Sequence, residues 1–372
     1  MQERRNNILK LLTLLMISFF TLPLNAQEKK EESKENINTW LNSPMLQEMA
    51  SRPELQALIS LYAKQIFVVN GSVQGAGAPL SLRIEDGQAM DKMLQIIEVR
   101  DSGSPLELSF FEKFEFGKGS SGKIVQCSHT FSMESFRTSE KVEISLDENA
   151  AVEFIIMQNE HNGAYHSTDF NVRLAQGAVL NMVFLSLHGG VIRNNIKVSM
   201  DGEHAECNLS GLYLTDSEQL MDYSVELVHN VPSCFSRQLF KGVLDDKGKA
   251  HFDGIIRVVP DAQKTEAYQA NHNLLLSDDA KALTKPQLEI YADDVKCSHG
   301  ATVGRLNEDE LFYMRTRGIP AKEAKLLQQM AFTYEVLEKI SSTELRDRMQ
   351  SLVEKRLRGE FAHCRNCSKN CC

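Results

Sequence analysis

The chain has 372 residues, enough for two domains or one elongated domain, and its 42% hydrophobic and 24% charged residues are ordinary for a globular protein. The net charge of -9, without a basic stripe carrying interleaved aromatic residues, argues against nucleic acid as a partner. Four of the eight cysteines are widely spaced (Cys127, Cys207, Cys234 and Cys297) and four crowd the tail. This spacing is not a disulfide framework, and it favours a reducing compartment.

Residues 1–27 have the features of a secretory signal, which conflicts with that compartment. Basic residues precede the apolar run Leu11–Phe20, and the small residue Ala26 precedes Gln27. The run is too short for an ordinary transmembrane helix. Taken alone, this segment predicts export; an upstream start codon or a rearranged gene end would also explain it.

Residues 28–65 are interpreted as a linker followed by a short helical region. Glu28–Asn36 is charged and has no apolar period, whereas Met45–Tyr62 carries apolar residues at helical spacing. Because Pro53 interrupts this spacing, we expect one kinked helix or two short helices.

Residues 66–304 carry short alternating runs bounded by Gly, Asn and Asp, such as KVEISL at Lys141–Leu146, and these predict strands. Strand–turn–strand units recur with anchors at Ala150, Ala178, Ala205 and Ala250, which are 28, 27 and 45 residues apart. Such units favour a β-solenoid of stacked coils, with an insertion or an extra turn in the last interval. On the residues alone, a meandering β-sandwich is the alternative.

The period changes again in residues 305–360, where two helices are expected. Pro320 is suited to a helix start, and a second helix is expected near Thr343–Arg358. The apolar positions that define the two helices are Leu327, Met330, Tyr334 and Leu337, then Leu345, Met349, Leu352 and Val353. Such stripes are usually core, and a helical pair can also cap the end of a solenoid.

The segment Tyr291–Gly304 contains a candidate ligand pair, Cys297 and His299. On a strand their side chains point to the same face, because strand side chains alternate. Thiolate and imidazole suit zinc, copper and iron–sulfur chemistry, but two ligands cannot complete a four-coordinate site. A partner residue or partner chain would therefore supply the rest. The alternative is a buried cysteine beside a surface histidine.

Gly117–Lys123 fits the start of a phosphate-binding loop, but Ile124 stands where a Ser or Thr hydroxyl should hold magnesium. The residues that follow predict a strand instead of a helix, so we interpret the segment as a Gly-rich corner. That strand carries a second C-S-H triplet, Cys127–His129, and spacing alone prefers neither triplet. No HExxH motif or G-x-S-x-G elbow is present, so candidates for catalysis are poor.

The tail, residues 361–372, holds the densest group of thiols. Four cysteines in nine residues offer enough ligands for zinc or an iron–sulfur cluster. These candidate metal ligands are Cys364, Cys367, Cys371 and Cys372. The alternative is that they remain free, reduced thiols.

Three blocks of sequence resemble the SufD proteins, which are iron–sulfur cluster assembly scaffold subunits of the SUF system (the SufB/SufD family). They are SRQLFKG at Ser236–Gly242, the run Asn273–Gly304, and FYMRTRGI at Phe312–Ile319. The resemblance surrounds Cys297 and His299 and does not surround the second triplet. The expected fold is mainly β, a right-handed parallel β-helix core with a small α-helical N-terminal segment and an α-helical C-terminal domain.

The resemblance also implies a non-catalytic, cytoplasmic scaffold that forms a heterodimer with SufB and docks the ATPase SufC, without membrane contact and without a nucleotide site of its own. A nascent iron–sulfur cluster would be held transiently at the interface with SufB, where Cys297 and His299 contribute. No cofactor would be bound permanently. The residues expected to dock the ATPase are Phe312, Arg315, Arg317 and Gly318.

Two other functions stay open on the residues alone. A secreted β-helix that binds or cleaves carbohydrate would suit the signal-like start, but the adjacent Asp293 and Asp294 point to opposite faces of an extended segment. A thiol or metal-binding protein acting through the tail would need an exposed cysteine with a lowered pKa.

Overall fold

The computed structural model describes residues 62–73, 78–90, 92–100, 102–130 and 134–359. The signal-like segment, the predicted helical stretch up to residue 61 and the cysteine-rich tail lie outside them. Residues 62–65 were predicted to end that helical region, but they form the start of a strand because their backbone pairs with the strand that begins at Met93. The strands are β1 (Tyr62–Val69), β2 (Ser72–Val73), β3 (Ser81–Ile84), β4 (Met93–Arg100), β5 (Leu106–Phe116), β6 (Ser121–Thr130), β7 (Phe136–Leu146), β8 (Ala151–Asn159), β9 (Ala164–Leu174), β10 (Val179–His188), β11 (Val191–Met200), β12 (Glu206–Thr215), β13 (Leu220–His229), β14 (Phe235–Leu244), β15 (Lys249–Val258), β16 (Glu266–Leu275), β17 (Lys281–Ile290) and β18 (Lys296–Gly304). The helices are α1 (Glu308–Thr316), α2 (Ala321–Leu337) and α3 (Thr343–Leu357).

The strands form two sheets, and the chain alternates between them. One sheet holds β1, β2 and the even-numbered strands from β4 to β18, and the other holds the odd-numbered strands from β3 to β17. Apart from β1 with β2, the pairs are parallel; β10 and β12, for example, pair from Val179↔Glu206 to Ser186↔Tyr213 without a shift. The predicted parallel β-helix is confirmed, because a meandering sandwich would pair its strands antiparallel.

One corner of the solenoid is lined by a column of small residues, each at most 1% exposed. In order along the solenoid they are Ser120, Ala150, Ala178, Ala205, Cys234 and Thr265. The backbone carbonyl of each accepts a hydrogen bond from the first residue of a strand in the next turn, as Ala150 does from Val179 at 2.8 Å. This corner therefore sets the stacking of one turn on the next.

The column corrects one part of the predicted repeat. Ala150, Ala178 and Ala205 lie in it, but its fourth predicted member, Ala250, lies on β15 in the other sheet. The residue that follows Ala205 in the column is instead Cys234, 29 residues further along the chain. A buried cysteine packs as a small hydrophobic residue. The predicted insertion is wrong, because the turn has ordinary length.

The space between the two sheets is filled mainly by apolar side chains. Phe114 from the eight-stranded sheet meets Phe154 from the ten-stranded sheet edge to face, with ring centroids 5.1 Å apart. Phe170 and Phe184 repeat this contact at 5.4 Å. Such edge-to-face pairs add directional preference to the burial of apolar surface that holds the sheets together.

The two longer helices pack along the outer face of the ten-stranded sheet. Leu337 and Leu345 belong to one apolar cluster with Val125, Ile155 and Val183, which point outward from neighbouring strands of that sheet. The helical pair therefore covers a flank of the solenoid, and its C-terminal end stays uncovered. Within the described residues, the helices are too short or too polar to cross a membrane.

Polar contacts fix the helices on this flank. The backbone N–H of Ser341, between α2 and α3, donates to Glu153 Oε1 at 2.7 Å. Arg356 on α3 donates from Nε to the carbonyl oxygen of Leu187 at 2.7 Å and pairs with Asp216 at 2.5 Å. Arg356 is 5% exposed. Truncating it would leave buried acceptors without a donor.

A cluster of charged side chains interrupts the apolar interior between β4 and β9. Arg100 Nη1 lies 2.7 Å from Glu98 Oε2, and His166 lies between Glu160 and Glu140, at 2.9 and 3.0 Å. All five side chains are buried. Burial alone lowers the pKa of His166, but the two carboxylates outweigh it and raise the pKa to about 9.

Two other buried histidines carry the opposite shift. Burial lowers the pKa of His229 to about 4, and burial followed by the charge of Arg356 lowers the pKa of His188 to about 4. Both rings are therefore neutral in the folded protein at neutral pH. In the unfolded chain a histidine has an ordinary pKa of about 6.5, so acid favours the unfolded state.

We expect the free energy of unfolding to fall as the pH is lowered from about 6.5 towards 4, since lowered folded-state pKa values give stability that is present above the unfolded pKa and lost below it. His229→Gln should flatten this dependence by up to about 3 kcal/mol over the window, at about 1.4 kcal/mol for each pKa unit. Urea unfolding between pH 7 and 4 measures this slope.

The matched control is Asn271→Ala, which changes a buried polar residue without a titratable group. It should lower the free energy of unfolding at every pH and leave the slope with pH unchanged. A slope that His229→Gln does not alter would contradict the assignment of a neutral buried ring.

Candidate functional site

The C-terminal end of the solenoid is formed by the outermost strands of both sheets, β17 and β18. No other strand in the described part of the chain pairs with their outer edges. Exposed apolar side chains lie on or beside them: Leu283 is 65% exposed, Tyr291 62% and Val303 46%. Two neighbouring unpaired edges with exposed apolar side chains are suited to binding another chain.

Cys297 and His299 lie on β18 and point toward the interior side of its sheet. Cys297 pairs in register with Ala267 on β16, and His299 pairs with Gln269. Ala267 and Gln269 are buried. The structure thus brings the two predicted ligands to one face of an edge strand.

The Cys297 thiol is half-buried beside small and branched apolar side chains. It packs against a cluster that includes Ile256, Val258 and Ala262. This burial raises the pKa of the Cys297 thiol, against a smaller opposing effect of a backbone hydrogen bond to Ala267. The thiol is therefore protonated at neutral pH. Binding a metal as a thiolate would release this proton, so acid would weaken the binding.

The ring of His299 is exposed and continues a short polar column. Gln238 Oε1 accepts a hydrogen bond from Gln269 Nε2 at 2.8 Å. Gln269 on β16 is in turn the residue that pairs in register with His299 on β18. Gln269 Oε1 is buried and has no hydrogen-bond partner among the described residues. An acceptor next to the ring is suited to fixing which imidazole nitrogen carries the proton.

The second triplet faces the opposite way. Cys127 is 4% exposed and belongs to the apolar cluster beneath α2 and α3, outside the sheet. Ser128, between the two candidate ligands, points inward and donates to Glu98 Oε2 at 2.9 Å. Cys127 therefore packs inside that apolar cluster, and the choice of Cys297 and His299 over this triplet stays a prediction. The Gly-rich segment before it is a turn followed by β6, as predicted.

The predicted docking residues Phe312 and Arg315 lie on α1, and Arg317 and Gly318 directly follow it; the sequence did not predict this helix. Asn307 caps it by accepting from the N–H groups of Asp309 and Glu310, at 3.0 and 3.3 Å. An Asn before three acidic residues is an N-terminal helix signal that could have revealed α1. Phe312 is 68% exposed.

Two of the remaining docking residues are exposed cations at the end of α1. Arg315 is exposed, and the guanidinium of Arg317 lies 5.1 Å from the centre of the Tyr313 ring. Gly318 follows at φ 87°, and the next N–H, of Ile319, bonds back to the carbonyl of Met314 at 3.2 Å. This is the Schellman ending of a helix, so Gly318 turns the chain from α1 into α2.

Exposed apolar side chains also lie on the first two helices. Tyr313 is 59% exposed, Leu327 45% and Tyr334 40%. Of the predicted apolar stripe, Met330 and Leu337 pack on the sheet as expected, together with Val336, whereas Leu327 and Tyr334 are exposed. The predicted metal ligands Cys364, Cys367, Cys371 and Cys372 lie outside the described residues and stay a prediction.

Residues 113–332, more than half of the chain, match the family described as SUF system FeS cluster assembly, SufBD core domain. A family match of this extent covers the solenoid from the last part of β5 onward, all of α1 and most of α2. The chain therefore belongs to the SufBD core family.

The chain is also similar to curated members of this group. It is 32% identical to the iron-sulfur cluster assembly protein SufD of Escherichia coli (strain K12) over 283 residues, which is 75% of this chain and 66% of that protein. It is 34% identical to a SufBD family protein of Synechocystis over 57% of this chain and 47% of that protein. Protein ABCI7, chloroplastic, of Arabidopsis thaliana is 34% identical over 58% of this chain and 46% of that protein. The chain spans between about half and two thirds of the length of these relatives.

Thiol labelling of the native chain tests the placement of the cysteines. N-ethylmaleimide should modify Cys297 at least about tenfold faster than Cys127, Cys207 and Cys234, which are buried where Cys297 is half-buried. Peptide mapping by mass spectrometry separates these sites from the tail cysteines. Faster labelling of Cys127 than of Cys297 would contradict the packing of α2 and α3 over that residue.

Proposed function

We propose that this chain is a non-catalytic scaffold subunit for iron–sulfur cluster assembly, which pairs with a SufB subunit through β17 and β18 and docks the ATPase SufC on its helical domain. The observation that carries the proposal is the position of Cys297 and His299 on the inner face of an exposed edge strand. A cluster bound there would be cargo that the complex builds and passes on.

Pairing with SufB would use the unpaired backbone of the two edge strands. An added strand from a partner can satisfy the free N–H and C=O groups of such an edge. The exposed Leu283, Tyr291 and Val303 supply apolar surface at the same end. Burying these side chains against a partner would give the interface an apolar centre.

Cluster binding would need ligands from both chains. Thiolate and imidazole bind iron–sulfur clusters, but Cys297 and His299 fill at most two positions. Since both lie at the end of the solenoid, ligands from a subunit paired with that end complete the site. The raised pKa of the Cys297 thiol adds a proton release to cluster binding, so assembly should slow in acid.

Docking of SufC would use α1 and the exposed side of α2. Phe312, Tyr313 and Leu327 offer apolar anchors, and Arg315 and Arg317 offer donors for carboxylates. This surface lies on the helical domain and does not involve β17 or β18.

The working compartment in this proposal is the cytoplasm, where an ATPase partner has its substrate and thiols stay reduced. The signal-like residues 1–27 argue the other way. N-terminal sequencing of the native protein distinguishes a cytoplasmic protein from an exported one. A chain that begins at Gln27 and is recovered outside the cytoplasm would overturn the assignment to the cytoplasm.

Substitution of the ligand pair tests the cluster site. In the complex co-expressed with the SufB and SufC chains of the same genome, Cys297→Ala or His299→Ala should lower bound iron and sulfide about tenfold or more, since each removes a direct ligand. Subunit association should be unchanged. Iron and sulfide content after anaerobic purification is the measurement.

Two matched controls accompany this test. Ser298→Ala changes the outward-facing residue between the ligands, and Cys127→Ala changes the buried cysteine of the other triplet. Both should keep the parental cluster content. Equal losses from Cys127→Ala and Cys297→Ala would show that the ligand pair has been assigned to the wrong triplet.

Charge reversal tests the docking surface. Arg315→Glu with Arg317→Glu should weaken SufC binding by about tenfold or more, because carboxylate partners would then face like charges. Lys141→Glu with Lys197→Glu makes the same change on the outer face of the eight-stranded sheet and should not alter binding. Undiminished SufC binding by the α1 variant, measured by interferometry, would place the docking surface elsewhere.

A further inference from the structure

The described residues contain one group of carboxylates close enough to share a metal ion, and it lies far from β18. Glu98, Glu112 and Glu140 place one oxygen each within 4.8 Å of one another. All three are at most 2% exposed. Two oxygens that each lie about 2.1–2.5 Å from one ion are at most about 5 Å apart, so a single ion can bridge this group.

The surroundings of the group are short of positive charge. Four buried carboxylates meet here, from Glu98, Glu112, Glu140 and Glu160, against two cationic groups, Arg100 and His166. Arg100 pairs with Glu98, and His166 lies between Glu140 and Glu160. With all four carboxylates ionised and both Arg100 and His166 counted as cations, two negative charges remain, and either two protons or one divalent ion neutralises them. A buried charge without a partner is costly.

Gln126 supplies a second, independent observation. Its Nε2 donates to Glu98 Oε1 and also lies 2.9 Å from Glu112 Oε2 and 3.3 Å from Glu140 Oε1. An amide has two hydrogens, so it cannot satisfy three carboxylates. Gln126 is 3% exposed, and Gln126 Oε1 and Glu112 Oε1 are both buried without a hydrogen-bond partner among the described residues.

A half-turn of the Gln126 amide exchanges its nitrogen and oxygen atoms. The carbonyl oxygen would then stand among the three carboxylates, an arrangement that is repulsive without a cation and becomes a four-oxygen site with one. The amide N–H group therefore occupies the place of a cation when none is bound.

We propose that Glu98, Glu112, Glu140 and the carbonyl oxygen of Gln126 bind one divalent metal ion inside the solenoid. Carboxylate and carbonyl oxygens select Mn²⁺, Mg²⁺ or Ca²⁺ and also bind Fe²⁺. Mg²⁺ keeps several waters and Ca²⁺ takes six to eight ligands, so four protein oxygens in a closed interior fit Mn²⁺ or Fe²⁺ best. His166, which contacts Glu140, would hold that ligand in place.

Glu112 lies beside an edge of the eight-stranded sheet that is only partly covered. β3 pairs with β5 only over Lys113–Phe116, so within the described residues the first part of β5 has no strand beyond it. Glu112 immediately precedes the paired part, and Phe111 is 37% exposed. The metal site does not depend on the proposed pairing and docking, and Glu98 and Glu112 precede residue 113, where the family match begins.

The test is Mn²⁺ titration of the full chain after treatment with a chelator, with free Mn²⁺ followed by electron paramagnetic resonance. We expect one Mn²⁺ per chain. Glu112→Gln should weaken this binding by more than about tenfold, since it removes a ligand while keeping the shape of the side chain. Glu143→Gln makes the same change at an outward-facing position of β7 and should bind as the parent does.

Two further experiments test which ion binds and whether the tail cysteines take part. Anaerobic addition of Fe²⁺ should displace the bound Mn²⁺, and replacing the four tail cysteines by serine should leave Mn²⁺ binding unchanged. If Glu112→Gln does not fold, as judged by circular dichroism, Gln126→Glu takes its place. It adds a fourth carboxylate and should strengthen Mn²⁺ binding. No saturable Mn²⁺ binding by the parent, or equal binding by Glu112→Gln, would overturn the proposal.

Discussion

Parallel pairing in register is the constraint on which the rest of the structure depends. Each strand pairs with the equivalent strand of the next turn, so a side chain shares its environment with those above and below it. Cys297 follows Ala267 in an inward column, whereas Cys127 precedes Met157 in an outward one. Two identical C-S-H triplets therefore have opposite surroundings. The first lies at an open end where a partner can reach it, and the second is sealed beneath α2 and α3.

The position of the helices decides what the solenoid leaves exposed. Because α2 and α3 pack on the flank of the ten-stranded sheet, they do not close its last strand. Proteins usually blunt such edges with charge, proline or a covering element. Here β17 carries Pro286, while β18 carries no proline and presents Val303 to solvent. An edge left open at the strand that carries Cys297 and His299 is the physical basis of the proposed assembly with a second subunit.

Much of this fold could be predicted from the residues, and the failures have physical causes. Alternation predicted the strands, and the recurring alanines predicted the stacked turns. The position of Cys234 in that column was missed because cysteine can replace alanine in a small buried site.

The charged interior was missed because a glutamate on a strand usually faces water. The sequence of β7 did carry a sign of it, because Glu140 occupies the same alternating positions as the inward-facing Val142 and Ile144. Only the pairing between strands, however, brings Glu140 close to Glu98. The exposure of Leu327 could not be predicted from helical periodicity either. Periodicity shows which residues share one face of a helix, but it does not show whether another element covers that face.

Hydrogen–deuterium exchange of the chain, alone and in complex with the SufB chain of the same genome, tests the central claim most directly. The outer edges of β17 and β18 have no partner strand among the described residues, so part of their amides should exchange quickly in the isolated chain. We expect the complex to protect Lys281–Ile290 and Lys296–Gly304, while exchange in β10–β12, which are paired on both sides, does not change. Formation of the complex with unchanged exchange in β17 and β18 would contradict it.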